Sequence, residues 1–443
     1  MQKSRRLLIG NRIGSRVGRP FVIVMAAFSM IFARPALAQD GRGQGDPRND
    51  EFLEKLLREH ASPQFKRILD RPDSFRYQIL YTRIDRDRHN QPSFHHYYYR
   101  VDRLEYFNPA STVKLLLALL ALEKMNGLAG HGIDKFTPML TDSGYTAQSI
   151  AHTDSSAATG LPSLAQYIKK IFLVSDNDAY SRLYEFLGQS TINERLWQMG
   201  YKDIRITRRF VAMDEDQNRH TNPIRFVKEG KLLYAQPPAV SNISFDFSRK
   251  ILIGNGHLDR NDKLIPEPMD FTRHNNVPLE DLQKILQSAL FPNSVAPAQR
   301  FRLSREDYGF LYRYMSQYPS EEAHPHYDTA IYFDSYAKFL FKAGRTPIPP
   351  YIRIFNKPGW AYGFLTDIAY VADFKNKVEF MVSAVIYVNS DGILNDDKYE
   401  YEEIGYPFFK ELGDILYGYE LTRKRRYSPD LKEFGCSYVP GPF

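Results

Sequence analysis

Ser111 and Lys114 stand three residues apart in Phe107-Asn108-Pro109-Ala110-Ser111-Thr112-Val113-Lys114, just before the apolar run Leu115 to Met125. Three residues is close to one helical turn, so on a helix the two side chains share a face. Asn108 suits the cap of such a helix, Pro109 its first position, and Asn126-Gly127 its end. A serine in the first turn lies beside free backbone N–H groups and the positive end of the dipole, which favour an alkoxide. A lysine one turn deeper, beside Leu115, Leu116 and Leu117, is partly desolvated and can lose its proton near neutral pH. Such a pair can serve as a nucleophile and its base. Taken alone, the spacing is more often a capping serine and a lysine with its stem laid along the core.

Two further stretches change that balance: Ser175-Asp176-Asn177 and Lys357-Pro358-Gly359. Each alone reads as a turn. In this order, with the last on a late strand, the three form the Ser-x-x-Lys, Ser-Asp-Asn, Lys-x-Gly set of serine acyl-transfer enzymes. The chain resembles the class A β-lactamase-like serine hydrolases, in the superfamily that includes penicillin-binding D-alanyl-D-alanine peptidases. The resemblance spans about residues 51–425. It is carried by Phe-x-x-Ala-Ser-x-x-Lys before a leucine-rich helix and Ser-Asp-Asn-x-Ala before Leu-x-x-x-x-Leu-Gly. The first two motifs are 64 residues apart, similar to such enzymes, whereas Ser175 and Lys357 are 182 apart, implying insertions near 224–275 and 291–350.

The resemblance implies roles for these residues. Ser111 attacks a carbonyl and becomes an acyl ester, and Lys114 takes its proton. Ser175 passes that proton to the leaving nitrogen. Asn177 holds the loop and bonds a substrate amide, and a cationic Lys357 orients Ser175. The N–H groups of Ser111 and Trp360 form the oxyanion hole, and Gly359 lets substrate approach the strand backbone. The expected reaction opens or hydrolyses a β-lactam or amide carbonyl. The alternatives are a D-Ala-D-Ala peptidase or esterase, and a non-catalytic ligand-binding protein of the same fold.

Two departures bear on substrate and turnover. The family has Thr or Ser where Pro358 stands, and that hydroxyl helps to bind a substrate carboxylate; Arg353 and Arg345 are candidates to replace it. Class A enzymes also carry a deacylating glutamate on a loop after the Ser-Asp-Asn helix. Counted from Gly200, that position falls near Phe210, after Arg208. Asp214 and Glu215 follow and are the candidate deacylation acids, although a solvated acidic turn fits them at least as well.

Positioning these residues calls for both strands and helices. Glu51 to His60 reads as a helix. Phe75, Tyr77, Ile79 and Tyr81 alternate as a half-buried strand, and Tyr97, Tyr99 and Val101 as a second, joined by a charged turn into a hairpin. Helices are expected over Leu164 to Phe172, Tyr180 to Leu187, Thr191 to Met199, Pro278 to Leu290 and Asp307 to Tyr318. Residues 204–223 read as loop, and 224–275 show no clear period. Strands are expected over Ile352 to Lys357, Gly363 to Phe374 and Lys377 to Val388, followed by a helix over Pro407 to Leu421. The order implies an α+β, αβα sandwich: a five-stranded antiparallel sheet flanked by helices, plus an all-helical lobe.

The chain has 443 residues, 43% hydrophobic, enough for a large core. Its net charge of +7 resides at the N terminus: residues 1–38 contain Lys3, six arginines and no acid, which leaves 52 basic against 52 acidic residues. No nucleic-acid footprint is expected. The basic start, the apolar Phe21 to Ala33 and Ala36-Leu37-Ala38 read as a signal peptide cleaved after Ala38, so a periplasmic or secreted protein without a stable membrane anchor is expected. Residues 39–50 read as a flexible linker, 51–425 as the hydrolase domain and 426–443 as a C-terminal tail. The single cysteine, Cys436, excludes an intramolecular disulfide. His95-His96 and His324-Pro325-His326 are weak metal candidates, so no metal or organic cofactor is expected. The expected partner is a small-molecule or peptidoglycan-like substrate.

Overall fold

The computed structural model describes residues 47–438; the expected signal peptide, and residues 39–46 of the linker, lie outside the described residues. The elements that position the motifs, in chain order, begin with helix α1 (Glu51–His60), strand β1 (Gln78–Arg86) and strand β2 (Pro92–Tyr99). Helices α2 (Val113–Gly127), α3 (Leu164–Val174), α4 (Asn177–Leu187), α5 (Gln189–Gln198), α6 (Leu279–Leu290) and α7 (Arg305–Ser316) follow. Strands β3 (Ile352–Ala361), β4 (Phe364–Asp373) and β5 (Val378–Tyr387) and helix α8 (Tyr406–Thr422) complete the set.

The five strands form one antiparallel sheet in the order β3-β4-β5-β1-β2. The late hairpins thus join the early one through β5 and β1, with Tyr81 opposite Val382. Both faces of the sheet are covered, which is why β4 and β5 are buried along their whole length rather than on alternate residues. Ile79, Tyr81, Leu365 and Val371 face α1 and α8, where Leu53, Leu57, Phe408 and Leu412 are buried. Leu80, Phe364, Ile368 and Met381 face the other way, towards α2, α4 and α6.

Helix α2 is the axis of that second core. Its apolar run has no polar face, because helices surround it on all sides: eleven of its fifteen residues, Lys114 included, are buried. Leu119 is fully buried there. Leu119→Ala should lower the unfolding free energy by about 2–5 kcal/mol, read from urea melts.

Some elements differ from the sequence expectation. Pro72–Phe75 forms a single helical turn that ends at Arg76 in the left-handed region (φ 41°), so β1 starts at Gln78 rather than at Phe75. Residues 224–275 are not irregular throughout. Ile224–Lys228 and Lys231–Gln236 make a hairpin against Met139–Thr141. Its two-residue turn, Glu229-Gly230, has positive φ at both positions, a hairpin geometry for which Glu-Gly is a weak signal. Strand β3 runs past Pro358 to Ala361, which an edge strand tolerates because one side of it needs no ladder donor. After α8 the chain returns to the core, where Leu431 and Phe434 are fully buried.

Candidate active site

The nucleophile turn is tighter than an α-helical start. Ala110–Thr112 forms a 3₁₀ turn and the α-helix begins at Val113. The Asn108 carboxamide oxygen accepts from the Ala110 amide at 2.9 Å, and Thr112 Oγ1 donates to the Pro109 carbonyl at 2.6 Å. Ala110 itself sits at φ 42°, strained backbone for a residue with a Cβ, which these bonds hold in place. Ser111 is half-buried and opens onto a cavity of about 600 Å³.

Ser175 is the second strained residue. It ends α3 in the left-handed region at φ 58°, ψ 41°, with its amide donating to the Lys170 carbonyl. Asp176 then caps α4, its Oδ1 accepting from the Ala179 amide at 2.7 Å. This reversal presents Ser175 Oγ between two lysines. Lys357 Nζ donates to it at 2.9 Å and Lys114 Nζ lies at 3.3 Å. Lys114 also donates to the Ser175 carbonyl at 2.5 Å and to Asn177 Oδ1 at 2.7 Å. Ser111, Ser175, Asn177 and Trp360 therefore line one cavity, with Lys114 and Lys357 reaching Ser175 and Gly359 abutting the Ser111 turn behind that lining.

Burial sets the chemistry of the lysines. Burial lowers the Lys114 pKa to about 7, opposed only by the charge of Asp176, so a neutral amine is accessible at physiological pH. Lys357 is held well below its ordinary value by burial and by the neighbouring Lys114, with Asp367 acting in the opposite sense. Asp367, on the other face of the sheet, is itself raised to about 6 by burial and bonded by Asn356 Nδ2. Burial thus works against the cationic Lys357 that the resemblance implies.

Gly359 makes a close backbone contact that the sequence did not signal. What approaches it is the nucleophile turn: a Cβ there would lie 2.6 Å from the Ser111 nitrogen and 2.9 Å from both the Pro109 oxygen and the Thr112 nitrogen. The glycine lets that turn seat against the edge strand, which brings the Ser111 amide next to Trp360. The indole of Trp360 is fixed in turn by Tyr336, Phe339 and the Lys342 ammonium, 4.5 Å from the ring centre.

The candidate deacylation acids are not brought to the cavity. Asp214 caps the short helix Glu215–Arg219 in a capping box with Gln217, and Glu215 pairs with Arg273 at the surface. Both line a separate cavity. The place beside Lys114 is taken by Phe210, which stacks on Tyr180 at 4.2 Å with its ring centre 5.2 Å from Lys114 Nζ. Arg353 and Arg345 are also elsewhere. The first forms a bidentate pair with Glu321, and the guanidinium of the second lies over Phe333. Two residues that the sequence did not single out as site groups line the cavity instead, Arg208 and His274. His274 lies in the segment without clear period, so no local signal marked it. Among the described residues no group of three His, Cys, Asp or Glu side chains could hold a metal ion.

Residues 80–271 match the family described as the β-lactamase enzyme family, a span that contains the Ser111 and Ser175 motifs but not Lys357. The comparison with curated proteins gives no match. Similar solved structures include the β-lactamase from Desulfarculus baarsii, at 14% identity over 80% of this chain and 96% of that one, TM-score 0.45. Those from Burkholderia phymatum (15% identity, 82% and 99%, TM-score 0.45) and Xanthomonas campestris pv. campestris (14%, 82% and 98%, TM-score 0.45) are also similar. The partial family match and the helix-covered five-stranded sheet agree on a β-lactamase-like fold.

Proposed function

We propose that the protein is an exported serine hydrolase that opens a β-lactam or amide carbonyl through an acyl-Ser111 intermediate. The observation that carries this is Ser175 Oγ held between Lys357 and a Lys114 whose burial favours the neutral amine. In the mechanism, neutral Lys114 accepts the Ser111 proton as Oγ attacks the carbonyl carbon. The amides of Ser111 and Trp360 receive the oxyanion. The proton then reaches the leaving nitrogen through Ser175 as the C–N bond breaks, leaving the ester on Ser111. Water and a base must then release the acyl group.

Phe210 favours the penicillin-binding reading over the fast β-lactamase. An apolar ring beside Lys114 cannot activate water, so the adduct should persist for many minutes. Intact-mass spectrometry with a labelled penicillin tests all of this. A stoichiometric adduct that Ser111→Ala abolishes is the expected result. Rapid return of free protein would point to a water-activating group elsewhere. No adduct from penicillins or activated esters would overturn the acylation. In protein recovered after export, the same spectrum should show a chain beginning at Gln39.

A further inference from the structure

We propose that Arg208, braced by His274, recognises an anionic group on the acyl arm of the substrate, at the end of the cavity away from Lys357. The inference names the substrate class of the proposed acyl transfer and rests on that reading.

Two arginines line the cavity, and their situations differ. Arg209 is fully buried and committed: it pairs with Glu185 and donates to the carbonyls of Gln217 and His220. Arg208 has no carboxylate partner among the described residues. Its guanidinium Nη1 meets only the ring Nε2 of His274, at 3.0 Å. Burial and the adjacent Arg208 lower the His274 pKa to about 4, so this partner is neutral and leaves the guanidinium charge uncompensated. The backbone of the arginine is fixed as well, because Asn275 Oδ1 accepts from the amides of Thr207 and Arg208 at 2.8 and 3.3 Å. No Asp or Glu lines the cavity. Arg208 and His274 also form the wall shared with the neighbouring cavity, which holds Asp214, Glu215 and Asp270. Among the described residues none of these pairs with the guanidinium, which is left to meet an anion in the cavity of Ser111.

Position along the strand assigns that anion to one arm of the substrate. Ser111 abuts Gly359 in the middle of the site. Lys357 and Ser175 lie on one side, where in the proposed mechanism Ser175 passes a proton to the leaving nitrogen. Ala361 ends the strand on the other side, about 13 Å from Lys357 at the usual rise per residue, and Tyr362 opens the turn after it. The His274 ring packs near Tyr362, with centroids 6.2 Å apart. The leaving group therefore points to Lys357 and the acyl arm to Arg208. This location differs from the Pro358 end of the strand, where the missing hydroxyl would have met a carboxylate on the leaving-group side.

Benzylpenicillin and carbenicillin differ by one carboxylate on the arm that stays with the acyl group. Carbenicillin should acylate the wild-type protein about tenfold faster, and Arg208→Gln should bring that ratio close to one. Arg208→Lys, which keeps the charge, should retain part of the preference and guards against a folding defect. A wild-type ratio at or below one, or one that Arg208→Gln leaves intact, would overturn the proposal. Calorimetric titration of the Ser111→Ala protein with 2-phenylmalonamate and phenylacetamide, the matched arms without the ring, separates the two readings. If neither penicillin forms an adduct, acyl transfer fails. Tighter binding of the anionic arm, lost in Ser111→Ala/Arg208→Gln, would still uphold the anion site, and equal binding of the two arms would refute it.

Discussion

Lys114→Met should slow acylation of Ser111 between about a hundredfold and ten-thousandfold, the usual span for loss of a general base. Methionine matches the length of the lysine and suits its buried place on α2, but it cannot take a proton. The wild-type pH profile should carry the signature of the group. With a pKa lowered to about 7, Lys114 is protonated below that pH and cannot serve as the base, so acylation should fall about tenfold per pH unit as the medium becomes more acid. Above pH 7 the amine is neutral and the rate should level off. Stability follows the opposite bookkeeping of protons. Between pH 7 and 10.5 the unfolded chain holds a proton that folded Lys114 has lost, so this group contributes rising stability with rising pH. Lys114→Met removes a buried amine and also its bonds to the Ser175 carbonyl and Asn177 Oδ1, two effects of opposite sign. The melting temperature should therefore move by only a few degrees, which separates a catalytic loss from an unfolded protein. A flat acylation profile from pH 5 to 8, or a variant acylated at the wild-type rate, would remove Lys114 from the mechanism.

The parts of the site built by short-range rules were readable in the chain. Lys114 and the apolar run after it form the start of a helix that has to be surrounded, while Ser111 stands just before it in a 3₁₀ turn. Asp176 caps α4 as its residue type dictates. The late strands declared themselves through β-branched and aromatic runs, and the sheet they form was expected with its five strands. What was not readable depends on contacts across many residues. Nothing local in Arg208 or His274 says that they meet at a cavity wall 66 residues apart. The Gly359 contact is also non-local, because its neighbour is the backbone of a turn some 250 residues earlier. Asp214 is instructive in the other direction. Asp214-x-x-Gln217 carries a helix-start pattern, and that local role claimed the carboxylate that had been a candidate for water activation. Phe210 completes the point: near the position counted for the glutamate, it packs on Tyr180 with its ring beside Lys114.

Gly359→Ala should lower acylation by about a hundred- to a thousandfold with the fold intact. The added methyl group meets three backbone atoms, at 2.6 Å from the Ser111 nitrogen and 2.9 Å from the Pro109 oxygen and the Thr112 nitrogen. None of these is the free end of a flexible side chain that could swing away. The turn that carries them is tied by Asn108 to Ala110 and by Thr112 to Pro109, so it moves as a body. Strand β3 is less free still, since all ten of its residues pair with β4, Gly359 opposite Thr366. The turn must then lift from the strand, and the Ser111 amide moves away from the Trp360 amide, its partner in the proposed oxyanion hole. Loss of one oxyanion donor is worth about 10²–10³ in rate, and a 1 Å misplacement of reacting groups is comparable. Protein stability should suffer much less, because the sheet register and both cores stay paired. Gly309→Ala on α7 is the control: its added Cβ meets nothing within 4 Å and should leave the rate unchanged. Second-order acylation rates for the two variants, with melting curves alongside, decide the matter. Wild-type acylation by Gly359→Ala would show that the oxyanion is not held between the turn and the strand.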